Sequence, residues 1–77
     1  MQVNIIIFGQ LTDIVGNREI SLTEISDTDQ LLAKMHSMYP ALRDIKYLIA
    51  VDKKVIAGNT QLNNNSVVAL LPPFSGG

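Results

Sequence analysis

The sequence predicts an α+β fold, a mixed sheet with one main helix packed on one face. Three stretches carry that prediction. QVNIIIFG near the start alternates at period two, and SDTDQLLAKMHSMYP pairs a capping pattern with helically spaced apolar residues. VVALL near the end is apolar on both faces, as expected of a central strand.

In the first stretch Val3, Ile5 and Ile7 fall on one face and Gln2, Asn4, Ile6 and Phe8 on the other, which gives a strand over residues 2–8. Gly9 breaks it. LTDIV, residues 11–15, fits a helical turn or a loop, and Gly16 and Asn17 favour a turn with positive φ. REISLTEI then alternates Ile20, Leu22 and Glu24 against Glu19, Ser21 and Thr23, a second strand paired with the first as a hairpin.

The helix starts at Asp27, an N-cap with Gln30 three residues on as in a capping box, and Leu31, Leu32, Met35 and Met38 follow at helical spacing. Pro40 ends it after Tyr39. YLIAV (47–51) and VIA (55–57) read as short strands around a polar DKK turn. NNNS (63–66) is a turn in which Asn tolerates positive φ, ahead of VVALL (67–71). Strand, strand, helix, strand, short strand, strand is the order of a ubiquitin-like β-grasp. There is no internal repeat, linker or low-complexity segment.

Seventy-seven residues allow one domain at most and no deep catalytic cleft. Six Lys plus Arg against seven Asp plus Glu, scattered along the chain, give a net charge of −1 and no field to hold a polyanion, so nucleic acid is not an expected partner. The absence of cysteine excludes disulfides, a thiolate nucleophile and a thiolate metal site, and makes the reducing cytoplasm the expected compartment. The apolar runs are far shorter than the roughly 20 residues of a membrane span, so no membrane association is expected.

Isolated polar residues have ordinary explanations. His36 lacks companion ligands at metal spacing and reads as a partly exposed helix residue. Asp27, Asp29 and Gln30 complement the helix N-terminus, and Lys53 and Lys54 form a solvated turn. No Ser, His and Asp arrangement assembles around Ser75, which reads as a spacer. Ile6 and Phe8 are different, because they sit opposite Val3, Ile5 and Ile7. If the helix covers the latter face, Ile6, Phe8, Leu71 and Val55 form an exposed apolar patch, which marks a partner surface.

The end of the chain, LPPFSGG, is the most specific feature. Pro72 and Pro73 lack an N–H and cannot continue a central strand, so a domain over residues 1–71 is expected to give way to an extended, flexible tail over 72–77. Those six residues reach about 20 Å at roughly 3.3 Å each, enough to enter another protein's active site, and Gly76 and Gly77 lack the Cβ that would jam a narrow channel. The group placed to react is the carboxylate of Gly77, which needs adenylation by an ATP-using partner before sulfur or an amine can attack it. The chain itself supplies no catalysis and is expected to bind no cofactor or metal.

FG near the start, LTDIVG, YPAL, LIAV and above all VALLPPFSGG together resemble the MoaD family, the sulfur-carrying small subunits of molybdopterin synthase, over the whole length. The resemblance implies that a MoeB-like activating enzyme adenylates Gly77 and that sulfur converts it to a thiocarboxylate. It implies further that the tail enters a large subunit, in a heterotetramer of two small and two large subunits, to donate sulfur to cyclic pyranopterin monophosphate in molybdenum cofactor biosynthesis. Carried over by position, Gly77 is the reacting terminus, Gly76 its narrow neighbour, Pro72, Pro73, Phe74 and Ser75 the threaded arm, and Phe8 and Leu71 the apolar contacts. Two positions depart from the family pattern: Asn63 to Ser66 replaces an acidic, Gly-containing turn, and Asp52 stands where Asn is frequent. The thiamine-pathway carrier ThiS shares the fold and the Gly-Gly end, and a ubiquitin-like modifier joined to lysines needs the same activation. PPFS favours the molybdopterin reading.

Overall fold

The computed structural model describes residues 2–73. They build five strands, two α-helices and a 3₁₀ helix: β1 (Gln2–Ile7), α1 (Leu11–Val15), β2 (Glu19–Thr23), α2 (Thr28–Met38), the 3₁₀ helix (Pro40–Asp44), β3 (Leu48–Val51), β4 (Lys54–Val55) and β5 (Val67–Leu71). The sheet order is β2-β1-β5-β3-β4. β5 runs parallel to β1 and antiparallel to β3, which makes the doubly apolar VVALL central, as its composition requires. This is the β-grasp that the element order predicts.

Period two holds through β1. Val3, Ile5 and Ile7 are buried, Asn4 and Ile6 half-buried and Gln2 exposed. Their cross-strand partners share the core face: Val3 opposes Leu22, Ile5 opposes both Ile20 and Val68, and Ile7 opposes Leu70. Leu31 and Met35 of α2 and Leu42 of the 3₁₀ helix close that core. Each fully buried aliphatic side chain contributes about 1.5–3 kcal/mol relative to exposure.

Several boundaries differ from the sequence reading. The first strand ends at Ile7 rather than Phe8, although Phe8 N–H still donates to Leu70 O at 3.0 Å. LTDIV, open in sequence between a helical turn and a loop, is a helix closed by Gly16 at φ +82°, and the expected antiparallel pairing of β1 with β2 is present around it. Met38, in the last turn of α2, is exposed although it follows the helical apolar spacing. Within DKK, Asp52 and Lys53 take positive φ and form the turn, whereas Lys54 begins β4. Pro40 ends α2 and then starts the 3₁₀ helix, the unpredicted element.

The start of α2 carries more capping than the sequence suggests. Gln30 N–H donates to Asp27 Oδ1, and Gln30 Oε1 accepts from Ser26 N–H, one residue earlier than in the standard box; both bonds are 2.8 Å. Asn59 Oδ1 also accepts from Asp29 N–H at 2.9 Å and from the Thr28 hydroxyl at 3.2 Å. Buried Thr28 accepts in turn from Thr60 N–H at 2.8 Å. The irregular segment before β5 is thereby fastened to the helix. Ahead of β5, Asn65 takes φ +67°, and its N–H donates to Gln2 O, so the asparagine turn anchors the beginning of β1.

Candidate functional site

The sheet face away from α2 is divided. Around Asn4 it is polar, with Ser21 Oγ donating to Asn4 Oδ1 at 3.0 Å. Beyond Asn4 it turns apolar: Ile6 opposes Ala69, Ala69 opposes Ala50, and Ala50 opposes Val55. Ala50 is buried yet lies outside the core cluster, as expected of a small side chain in the floor of this second face. The next row is Phe8, Leu71 and Leu48, with Leu48 paired to Leu71.

This apolar half is open. Phe8 is 44% exposed, Leu48 42% and Val55 61%, whereas Ile6 and Leu71 are half-buried. Ala69 and Ala50 lie between the larger Ile6 and Val55 on this face, and an exposed apolar patch of this kind marks a partner surface. The patch expected from Ile6, Phe8, Leu71 and Val55 is thus brought onto one face. Leu48 and Val67 extend it; both lie in runs apolar throughout, where composition cannot assign a face, and pairing does so, Leu48 with Leu71 and Val67 with Asn4.

β1 and β5 are parallel, so both finish at the same end of the sheet, where the chain leaves through half-buried Pro72 and exposed Pro73. Gly9 holds φ +60° there, and an added Cβ would stand 2.6 Å from Pro72 Cγ. The absence of a side chain at Gly9 is what lets the prolines leave along this path. Phe74, Ser75, Gly76 and Gly77 lie outside the described residues. Pro72 therefore joins Phe8 and Leu71 in one continuous surface, with the Gly-Gly end covalently attached to its rim.

Elsewhere the polar residues keep ordinary roles. His36 Nε2 and the Tyr47 hydroxyl are hydrogen-bonded at 2.7 Å with their rings edge to face, and burial pushes the Tyr47 phenol up from its usual range. Among the described residues no group of three or more His, Cys, Asp or Glu could hold a metal ion. No helix there is long and apolar enough to cross a membrane.

Comparison with known proteins agrees with this architecture. The curated molybdopterin synthase sulfur carrier subunit of Caenorhabditis elegans is 29% identical over 83 residues, covering 100% of this chain and 99% of that one. A chain of the solved complex of subunits 1 and 2 of the molybdopterin-converting factor from Helicobacter pylori is 25% identical at a TM-score of 0.77, with full coverage of both chains. The small archaeal modifier protein 1 of Methanosarcina acetivorans shares the fold at 22% identity, a TM-score of 0.84 and coverage of 99% and 96%. The model of the ThiS family matches residues 5–77, nearly the whole chain. The chain belongs to the ThiS family, the sulfur carriers of ThiS and MoaD type.

Proposed function

We propose that this protein is the small subunit of a molybdopterin synthase and carries sulfur on its C-terminal glycine. The observation that carries the reading is the continuity of the open apolar face at Phe8, Leu71 and Leu48 with the proline exit at Pro72 and Pro73. A protein docked on that face receives the tail at its own surface. The relatives in Caenorhabditis elegans and Helicobacter pylori support the choice of pathway and of a large-subunit partner.

In this reading an activating enzyme of MoeB type, in the cytoplasm, transfers AMP from ATP to the Gly77 carboxylate and releases pyrophosphate. A sulfur donor displaces AMP and leaves a thiocarboxylate. The tail, Pro72 to Gly77, then threads into the large subunit, in a two-plus-two assembly, and sulfur passes to cyclic pyranopterin monophosphate while water restores the carboxylate. Nothing in the tail has to catalyse these steps. Its prolines set direction, its glycines pass a narrow channel, and the domain supplies binding energy.

A ThiS-like role in thiamine biosynthesis is the second reading, favoured by the family model's own name. Intact-mass measurement after incubation with ATP, a sulfur donor and the activating enzyme tests the sulfur-carrier reading. A gain equal to the exchange of one oxygen for sulfur, mapped to Gly77, is expected. An unshifted mass with adducts on lysines of other proteins would point to a modifier instead. Incubating the sulfurated form with large subunit and precursor separates the pathways, since only the molybdopterin reading predicts sulfur loss that depends on both.

A further inference from the structure

β2 stands at one edge of the sheet, next to β1. Ile7 N–H donates to Arg18 O at 2.8 Å in the same register that sets Ile6 opposite Glu19, so Ile7 and Arg18 are a hydrogen-bonded pair. Bonded and non-bonded pairs alternate along an antiparallel ladder, which makes Ile20 and Leu22 the bonded partners of Ile5 and Val3 and turns the N–H and C=O of Glu19, Ser21 and Thr23 away from β1. These three residues are exposed. EISLT also contains neither proline nor lysine, the residues that commonly blunt such an edge. We propose that in the free protein β2 pairs antiparallel with β2 of a second copy of the chain, about a two-fold axis at Ser21.

The strand is self-complementary in that register. Centred on Ser21, it sets Glu19 opposite the second copy's Thr23, Ile20 opposite its Leu22, and Arg18 opposite its Glu24. Every outward N–H and C=O of Glu19, Ser21 and Thr23 then has a backbone partner, and the apolar pair lies on the core side of both sheets. Arg18 and Glu24 are exposed, and their charges are opposite. A slip of two residues one way sets Ile20 against Glu24 and Glu19 against Ile25; the other way, Arg18 faces Leu22 and Thr23 faces Asn17 beyond the strand. A slip of one residue sets outward groups against residues already bonded to β1. Ser21 is therefore the centre at which hydrogen bonding, apolar pairing and charge agree.

A two-fold axis between antiparallel strands stands perpendicular to the joined sheet. Both open apolar faces thus end on one side of it, and the two proline exits point to opposite ends. The self-pairing leaves the docking proposed above free to occur and does not depend on it. One strand edge buries less than the roughly 800 Å² per partner of a standard interface, so the association is weak.

Sedimentation equilibrium of the intact protein, from about 0.02 to 2 mM, is expected to show a dimer with a Kd of about 0.1–1 mM. Arg18→Glu sets like charges against each other at both ends of the pairing and should raise that Kd about tenfold. Adding Glu24→Arg to the same chain restores opposite charges and should return the Kd to within about threefold of wild type. On dilution, the NMR amide signals that move should be those of residues 18–24. A chain that stays monomeric throughout overturns the proposal and leaves the edge to a strand of another protein. A dimer indifferent to Arg18→Glu, or one whose dilution shifts fall on Phe8, Leu48 and Leu71 instead of β2, overturns it equally.

Discussion

Gly9 and Pro72 approach so closely that a single Cβ on the glycine would stand 2.6 Å from Pro72 Cγ, and the glycine holds φ +60° as well. Gly9→Ala therefore meets two penalties. The left-handed conformation costs an L-residue roughly 1–2 kcal/mol. The methyl group must also push Pro72 aside, at the point where the chain turns away from the sheet. Thermal unfolding should show Tm falling by about 4–8 °C for each kcal/mol lost in a domain of this size. Sulfur delivery should fall further than the folded fraction accounts for, because the exit path itself is displaced. Unchanged Tm and delivery would mean that the prolines leave by another route.

Phe8→Asp separates docking from folding. The ring is 44% exposed and stands outside the core cluster, so Tm should change little. In a complex the carboxylate would be desolvated against apolar groups, and loss of an anchor at the centre of such a face costs about 2 kcal/mol or more, roughly 30-fold in Kd. Titration calorimetry against the large subunit checks this. Unaltered affinity would place the interface elsewhere.

The contrast between β1 and β3 explains how much could be read from the sequence. In β1 polar residues at positions 2 and 4 fix the phase, so the outward direction of Ile6 and Phe8 follows from alternation alone. LIAV contains no polar residue to set a phase, and Leu48 joins the open apolar face only because it pairs with Leu71. Gly9 was legible as a strand breaker but not as a neighbour of Pro72, since 63 positions separate them and only the parallel β1–β5 pairing unites them. The 3₁₀ helix escaped because Pro40 signals both the end of one helix and the start of another. The Asn59 contacts to α2 escaped for the same reason as Gly9: the capping atom comes from 30 residues away.

Thr28→Val tests that distant cap. The side chains have similar volume, but valine removes the acceptor that Thr60 N–H uses at 2.8 Å and the donor to Asn59 Oδ1. An unsatisfied backbone N–H in a nearly buried site costs about 1–3 kcal/mol. Denaturant unfolding should show the midpoint falling at constant slope, and hydrogen exchange should quicken at the first turn of α2 and at Thr60. A loss confined to the first turn of α2 would show that Thr28 serves helix initiation alone.

Tyr47→Phe addresses alkaline stability. Burial raises the Tyr47 phenol, so the folded state holds this proton more tightly than the unfolded chain does. The associated stability is complete below the unfolded value near pH 10 and is lost as pH rises through the higher folded value. Wild-type stability should therefore decline above about pH 10, and this contribution should vanish in Tyr47→Phe. Near neutral pH the variant should lose only the bond to His36, about 0.5–1.5 kcal/mol. A wild type and variant that lose stability in parallel above pH 10 would assign the alkaline transition to other groups.

Gly77→Ala bears on the tail chemistry itself. Under the proposed function, a methyl group at Gly77 restricts φ and adds width to an arm that threads a narrow channel. Misplacement of a reacting atom by about 1 Å costs on the order of 10²-fold in rate. The domain is untouched by the change, so Tm and affinity for the large subunit should match wild type while sulfur transfer falls by that order. Measuring adenylation and transfer separately locates the loss: a channel in the activating enzyme alone predicts slow adenylation with normal transfer of preformed thiocarboxylate, and a channel in the large subunit predicts the reverse. Normal rates in both steps would remove the threaded tail from the mechanism.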